Sequence, residues 1–256
     1  MPVLAFLGAT GGCAGQTLTL ALRSGSYTCR ALARSPEKLT SSLQSRGVTS
    51  EALQRLIIIR GDATNTADVK RLLTPENGNA ISAIVFGVGS LPKLQWSVYP
   101  VTLVQPRLCE TAMRTLLAAL ESLVSTGMTR PDVVALSSTG ISSGPRDVPF
   151  LYGGLYHWLL KIPHDDKRAM EKLLRHQTKR EKKERVVKRF VIVRPTLLTD
   201  GRKGLDKVRW GGEGNPAVGY MIGREDVGEF IYEWVLQDDG EGKDSVGRDV
   251  AVTLSY

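Results

Sequence analysis

The chain has 256 residues, 42% hydrophobic and 23% charged, a balance that excludes a disordered chain and suits one large α/β domain or two small ones with a full core. Its three cysteines, Cys13, Cys29 and Cys109, are odd in number and far apart with no CxxC pair, so neither a disulfide framework nor a zinc site is expected and a reducing compartment is. The net charge of +8 would suit a nucleic-acid partner, but much of it sits in Lys179–Arg189, where seven basic and two acidic residues stand with no aromatic to stack on bases, the pattern of a solvated helix extension or surface loop.

In chain order, Val3 to Leu7 is an apolar run that stops at a glycine and reads as a buried strand of a parallel sheet. Gly8-Ala9-Thr10-Gly11 makes a tight turn, and Gln16 to Leu22 carries helical spacing. A strand, a glycine turn and a helix in that order form a phosphate site, because helix N-termini offer unpaired amides and a partial positive charge while glycine admits the phosphate to the backbone. Ala14 stands where a third glycine would be, a position that serves close helix–strand packing. The start of the chain lacks a basic n-region and no apolar run reaches a membrane span, so a cytoplasmic protein without a signal peptide or membrane partner is expected.

Tyr27 to Ala33 reads as the second strand and ends in Arg34-Ser-Pro-Glu-Lys38. Where dinucleotide folds hold an acid for the ribose 2′-hydroxyl, this chain has Arg34 and, one helical turn on, Lys38, a pair suited to a 2′-phosphate. NADP(H) is therefore the expected cofactor. Thr40 to Gln54 is serine-rich and reads as an exposed excursion. Strand three is Leu56 to Arg60, and Asp62 would cap a helix over Thr66 to Leu73. Strand four, Ala80 to Phe86, ends in Gly87-Val88-Gly89-Ser90, small residues that leave room for a ligand at a carboxyl edge.

Residues 91–104 read as a loop carrying Trp96 and Tyr99, followed by a helix from Pro106 to Ser125 and a fifth strand from Asp132 to Leu136. Residues 141–163 read as irregular, with Phe150, Tyr152, Tyr156 and Trp158. These two aromatic loops follow strands four and five, so a flat aromatic-lined pocket for a small aromatic molecule is expected, with a subcore or dimer face as the structural alternative. Asp165 to Arg175 reads as an amphipathic helix capped by its own acids, Phe190 to Val193 as strand six, Ile222 to Phe230 as the start of a last helix, and Asp249 to Leu254 as a terminal strand. The alternation reads as one doubly wound domain over 1–256 without linker or repeats.

Gly8-Ala-Thr-Gly-Gly, Ala31-Leu-Ala-Arg-Ser-Pro-Glu-Lys38, Gly61-Asp62, Val193-Arg-Pro195 and Arg224-Glu-Asp-Val227 stand in the order found in the atypical short-chain dehydrogenase/reductases. The chain most resembles their NAD(P)-binding group, which holds NmrA-like proteins and NADPH-dependent flavin and biliverdin reductases. The match covers nearly the whole chain apart from 91–104, 141–163 and the basic run. The resemblance implies an α/β Rossmann fold, a doubly wound, mostly parallel sheet with helices on both faces and a small C-terminal substrate-covering region. It also implies that Gly8 and the amides from Thr10 through Gly11 and Gly12 to Cys13 hold the pyrophosphate, and that Arg34 and Lys38 hold the 2′-phosphate. Asp62 and Ala63 would flank the adenine, Val88, Gly89 and Ser90 the ribose, and Leu136, Ser137, Ser138 and Pro195 the nicotinamide. In the flavin-reductase branch the residue matching Thr196 is often histidine, so a flavin or bilin substrate is not implied here.

Typical members use Tyr-x-x-x-Lys, in which the lysine lowers the pKa of a proton-donating tyrosine. Tyr156 is followed at that spacing by Leu160, and Tyr152 by Tyr156, so neither makes the pair. An NADPH-dependent reductase remains open if the acceptor's anion is stable, with Ser138, Tyr156, Tyr152 and Tyr99 as candidate proton donors. A non-catalytic NADP(H) sensor of the NmrA type and a redox-neutral isomerase or lyase stay open beside it. A monomer or homodimer without a nucleic-acid partner is expected.

Overall fold

The computed structural model describes residues 1–75, 80–150, 154, 158–237 and 246–256. The first half runs β1 (Val3–Leu7), α1 (Gly12–Ser24), β2 (Thr28–Ala33), α2 (Pro36–Ser45), α3 (Ser50–Leu53), β3 (Leu56–Arg60), α4 (Thr66–Leu73) and β4 (Ile81–Phe86). Then come β5 (Pro92–Leu94), β6 (Val101–Leu103), α5 (Leu108–Ser125), β7 (Asp132–Leu136), α6 (Lys161–Lys179) and β8 (Phe190–Pro195). The last part holds β9 (Leu197–Thr199), β10 (Arg209–Gly212), β11 (Met221–Gly223), α7 (Arg224–Phe230) with a π-helical continuation to Leu236, and β12 (Val250–Ser255).

Eight strands form one sheet in the order β10-β12-β8-β7-β4-β1-β2-β3. All neighbours are parallel except β10, which runs antiparallel along β12. This is the doubly wound Rossmann arrangement. Every residue of β1 is buried, as its uninterrupted apolar run requires, and its side chains serve two cores in alternation. Leu4 and Phe6 join α1, α2 and α7 on one face, while Val3, Ala5 and Leu7 join α4, α5 and α6 on the other. Fully burying a side chain such as Phe6 or Phe86 contributes about 1.5–3 kcal/mol. Chain order reverses between β1 and β4, so the crevice for a ligand opens at their carboxyl ends.

Several local expectations are revised. The 40–54 stretch is not an excursion. Ser35 and Thr49 cap two helices there by accepting from the Lys38 and Ala52 amides, and Leu39, Leu43, Val48 and Ala52 are buried. The cap of α4 is Asn65, which accepts from the Ala67 and Asp68 amides, whereas Asp62 accepts from Thr64 in the preceding turn. Residues 91–104 form a hairpin, β5 against β6, with Pro92 heading its strand and Pro100 just outside the other, positions where a missing N–H is tolerated. β9, β10 and β11 are short strands that the periodicity did not reveal.

The acids of α6 do not cap their own helix, which begins at Lys161. Asp165 instead pairs with Lys161 at 2.6 Å and Arg168 at 2.9 Å. Asp166, buried, accepts from the Cys109 and Glu110 amides at 3.0 and 2.9 Å. It thereby caps α5, whose own N-cap, Arg107, sits at a φ of 62° and offers no side-chain cap. Within the basic run, Arg180, Arg185 and Arg189 are tied to Glu121, Asp249 and Asp132, so only part of it is simply solvated. Among the described residues no helix is long and apolar enough to cross a membrane, and no cluster of His, Cys, Asp or Glu could hold a metal.

A Cβ placed on Gly87 would stand 2.5 Å from the Ala14 Cβ. Gly87→Ala should therefore push α1 off β4 and cost about 1–3 kcal/mol as overpacking. A lowered midpoint in urea unfolding checks this; an unchanged midpoint contradicts it.

Candidate functional site

The site begins where β1 ends. Gly8 has a φ of 80°, and a Cβ there would lie 2.5 Å from the carbonyl oxygen of Gly87, so the turn requires glycine on both counts. The Gly87 amide donates to the Leu7 carbonyl at 2.8 Å, and the Gly11 amide closes the turn on the Gly8 carbonyl at 3.0 Å. Helix α1 then starts at Gly12 with no side-chain cap. The amides of its first turn have no acceptors within the helix and carry the positive end of its dipole. The geometry thus fits a pyrophosphate: backbone donors, a left-handed glycine and small residues at Gly8, Ala14 and Gly87.

Cations surround this turn. Arg46 donates to the Gly12 carbonyl at 3.2 Å. The stem of Arg224, the first residue of α7, packs on Gly12, while its guanidinium pairs with the exposed Asp200 at 2.7 Å. Burial pushes the Cys13 thiol up to about 12, outweighing the positive charges of Arg224, Lys167 and Arg46 that pull it down. Cys13 is therefore a protonated wall of the turn, not a nucleophile.

At the end of β2, Arg34 and Lys38 are both exposed. The acid between them, Glu37, is taken up by Arg60 at 2.5 Å and by Ser35 at 3.0 Å, and its carboxyl is held below the usual range by hydrogen bonds to its own amide and Ser35, with Arg60 beside it. Neither Arg34 nor Lys38 has an ion pair among the described residues, which leaves both available to an anion. After β3, the Asp62 amide donates to Asp68 at 2.9 Å and Ala63 is half-buried. After β4, Val88 is buried, Gly89 exposed, and the Ser90 hydroxyl accepts from the Gln105 amide at 2.8 Å.

Lys167 was not anticipated. Its ammonium donates to the Leu136 carbonyl at 2.8 Å and the Val88 carbonyl at 3.2 Å, bridging the carboxyl ends of β7 and β4. Two of its three donors are so used, and the third has no acceptor among the described residues. The signal was present in the spacing: Met170, Glu171 and Leu174 at i+3, i+4 and i+7 are buried, so Lys167 stands in the inward stripe of α6. One turn before it, where a Tyr-x-x-x-Lys pair would need the phenol, stands Pro163. Next along β7's end, Ser137 is buried with a hydroxyl that has no partner among the described residues, Ser138 is half-buried, and Pro195 is buried at the end of β8.

Beyond the ends of β7 and β8 lies a cavity of about 330 Å³, lined by Thr139, Val148, Pro149, Leu159, Leu160, Thr196, Leu197, Gly219, Tyr220 and Met221. The expected flat aromatic lining is not found among the described residues: the walls are aliphatic, with Tyr220 their one aromatic ring. Trp96 and Phe150 point into solvent, and Trp158 is 44% exposed. Tyr99 is off this lining, half-buried on the hairpin with the Lys161 ammonium 5.7 Å from its ring. Tyr152 and Tyr156 lie outside the described residues.

Residues 8–238 match the model of a family described as NAD(P)H-binding. The chain is 41% identical over 264 residues to a protein named reductase pytE of Aspergillus terreus, covering 100% of this chain and 98% of that protein. It is 36% identical over 268 residues to one named oxidase pynE of Aspergillus niger, covering 92% and 93%. Among solved structures it resembles a short-chain dehydrogenase/reductase from Veillonella parvula in complex with NADP, with a TM-score of 0.69, 17% identity and coverage of 100% and 94%. It also resembles ChuY, an anaerobillin reductase from Escherichia coli O157:H7, with a TM-score of 0.64, 18% identity and coverage of 98% and 96%.

All three cysteines are buried, and burial raises every one of their pKa values, Cys13 and Cys29 to about 12. Because the folded values lie above the unfolded value of about 8.5, the stability these thiols contribute is intact below that pH and is lost as pH rises toward the folded values. Iodoacetamide at pH 8 should label none of them in the folded protein and all of them in guanidinium, read by mass; labelling of native Cys13 would contradict the burial described here.

Proposed function

The chain belongs to the NAD(P)H-binding family, and we propose that it is an NADPH-dependent reductase of the atypical short-chain type, acting on a planar conjugated or aromatic carbonyl, quinone or flavin-type small molecule. The observation that carries this reading is the continuity of one sheet edge. Parallel strands bring the ends of β1, β2, β4, β7 and β8 to the same side, so the glycine turn, Arg34, Lys167 and the apolar cavity open along a single crevice. The names of the two fungal relatives support redox chemistry.

When bound, NADPH supplies the hydride. The chain's own residues bind and orient. The amides of Thr10 to Cys13 hold the pyrophosphate against the dipole of α1, and Arg34 with Lys38 grips the 2′-phosphate, a role open to them because Arg60 occupies Glu37. Asp62 and Ala63 flank the adenine, Val88 to Ser90 the ribose, and Leu136 to Ser138 with Pro195 the nicotinamide. Lys167 keeps the β4 and β7 ends in register and directs its third N–H at a ligand oxygen in the crevice. With Pro163 in place of a phenol one turn before it, Lys167 has no tyrosine at the Tyr-x-x-x-Lys spacing. Protonation from water then suits an acceptor whose reduced anion is already stable, and positioning does most of the work. Ser138 is the described hydroxyl nearest in sequence to this edge that is only half-buried.

NADPH oxidation measured against flavin, quinone and aromatic ketone panels tests the activity; no turnover with any of them despite micromolar NADPH binding would reject it. Arg34→Ala should weaken NADPH binding about tenfold or more, the loss of a charge-assisted contact, while NADH binding stays within about twofold. Equal losses would instead contradict the 2′-phosphate role. Lys167→Met, which keeps the stem, should lower kcat/KM about a hundredfold or more; unchanged kinetics would remove Lys167 from the site.

A further inference from the structure

The apolar cavity has one polar irregularity. Thr196 lies on its wall, between β8 and β9, 3% exposed, and its hydroxyl has no hydrogen-bond partner among the described residues. Thr139, also on the lining, donates to the Pro195 carbonyl at 3.4 Å. A buried hydroxyl without a partner is costly and uncommon, so its presence in a fixed place asks for a ligand atom.

The place is fixed. The Thr196 amide donates to the Leu254 carbonyl at 3.0 Å. Two residues earlier, Arg194 makes a two-pronged ion pair with Glu171 of α6, at 2.9 and 2.6 Å, with both side chains 5% exposed. Such a fork, desolvated and doubly bonded, holds β8 against the helix that carries Lys167. Thr196 therefore sits on a rigid support, as a group that selects its ligand must.

Among the described residues none that is charged lines the cavity, which suits a neutral ligand part. Its volume of about 330 Å³ lies at the small end of small-molecule sites. Resting on the reductase reading above, we propose that this cavity is the acceptor site, that it takes a neutral, largely apolar molecule bearing a carbonyl oxygen, and that the Thr196 hydroxyl donates to that oxygen. Thr196 is thus the specificity-determining residue. A site built to hydrogen-bond one oxygen rejects the analogue that lacks it far more strongly than an apolar pocket rejects a missing methylene.

The experiment uses a matched pair of probes, acetylnaphthalene and isopropenylnaphthalene, which differ in a carbonyl oxygen against a methylene. Each is titrated calorimetrically into the full chain saturated with NADP⁺. The wild type should prefer the ketone by about tenfold or more. Thr196→Val should bring the pair to within about twofold of each other with NADP⁺ affinity unchanged, and Thr196→Ser should retain the preference. Equal affinities in the wild type, no saturable binding of either probe, or a preference that survives in Thr196→Val would overturn the proposal. Because binding needs no turnover, a ketone that shows the preference and is not reduced by NADPH supports Thr196 as the grip and counts against the reductase reading separately.

Discussion

Three small residues at the head of the sheet, Gly8, Ala14 and Gly87, let two strand ends and a helix meet at backbone distance. A Cβ at Gly8 would strike the Gly87 carbonyl, and one at Gly87 would strike Ala14, each at 2.5 Å. The remaining site geometry depends on that approach. It sets where α1 begins, hence where its unpaired amides point, and it keeps β1 and β4 adjacent at the place where chain order reverses. Were the three residues larger, the crevice would not form between these strands, and Arg46 and Arg224 would have no turn to cover.

Charge is distributed along the crevice by the same economy of neighbours. Glu37 is the acid that would oppose a 2′-phosphate, and Arg60 on the adjacent strand holds it. Exposed, that ion pair adds little stability. Its effect is to leave Arg34 and Lys38 without a counter-ion among the described residues. The interior pair of Arg194 and Glu171 is different in kind, since both partners are desolvated and either alone would be a buried charge.

Much of this was legible in the residues themselves. β1, β3, β7 and α4 fall where their apolar runs and spacing place them, because each is long, regular and bounded by glycine or a turn. The glycine turn declared itself through its position between a strand and a helix. The missing parts share a cause. Leu197–Thr199, Arg209–Gly212 and Met221–Gly223 are too short for a period to show, and they exist because a partner strand is nearby. Asp166 looked like the cap of its own helix, since local spacing cannot reveal that it faces another helix 56 residues earlier in the chain. Lys167 hid for the same reason: a lysine among lysines on a charged helix reads as solvated until α6 is laid on the sheet. Trp96 and Phe150 misled in the opposite direction, because an aromatic in a loop forms a pocket only if the chain folds it inward.

Asp166 and Lys167 are consecutive, yet one ends on the amides of α5 and the other on the carbonyls of β7 and β4. An acid finds donors and a base finds acceptors, so this dipeptide acts as a key with two differently cut edges. Each step along an α-helix turns the side chain by about 100°. A single residue inserted or deleted between Lys161 and Asp165 would therefore rotate the key in its lock and offer the wrong charge to each seat. The register of α6 is thus set by polarity as well as by packing.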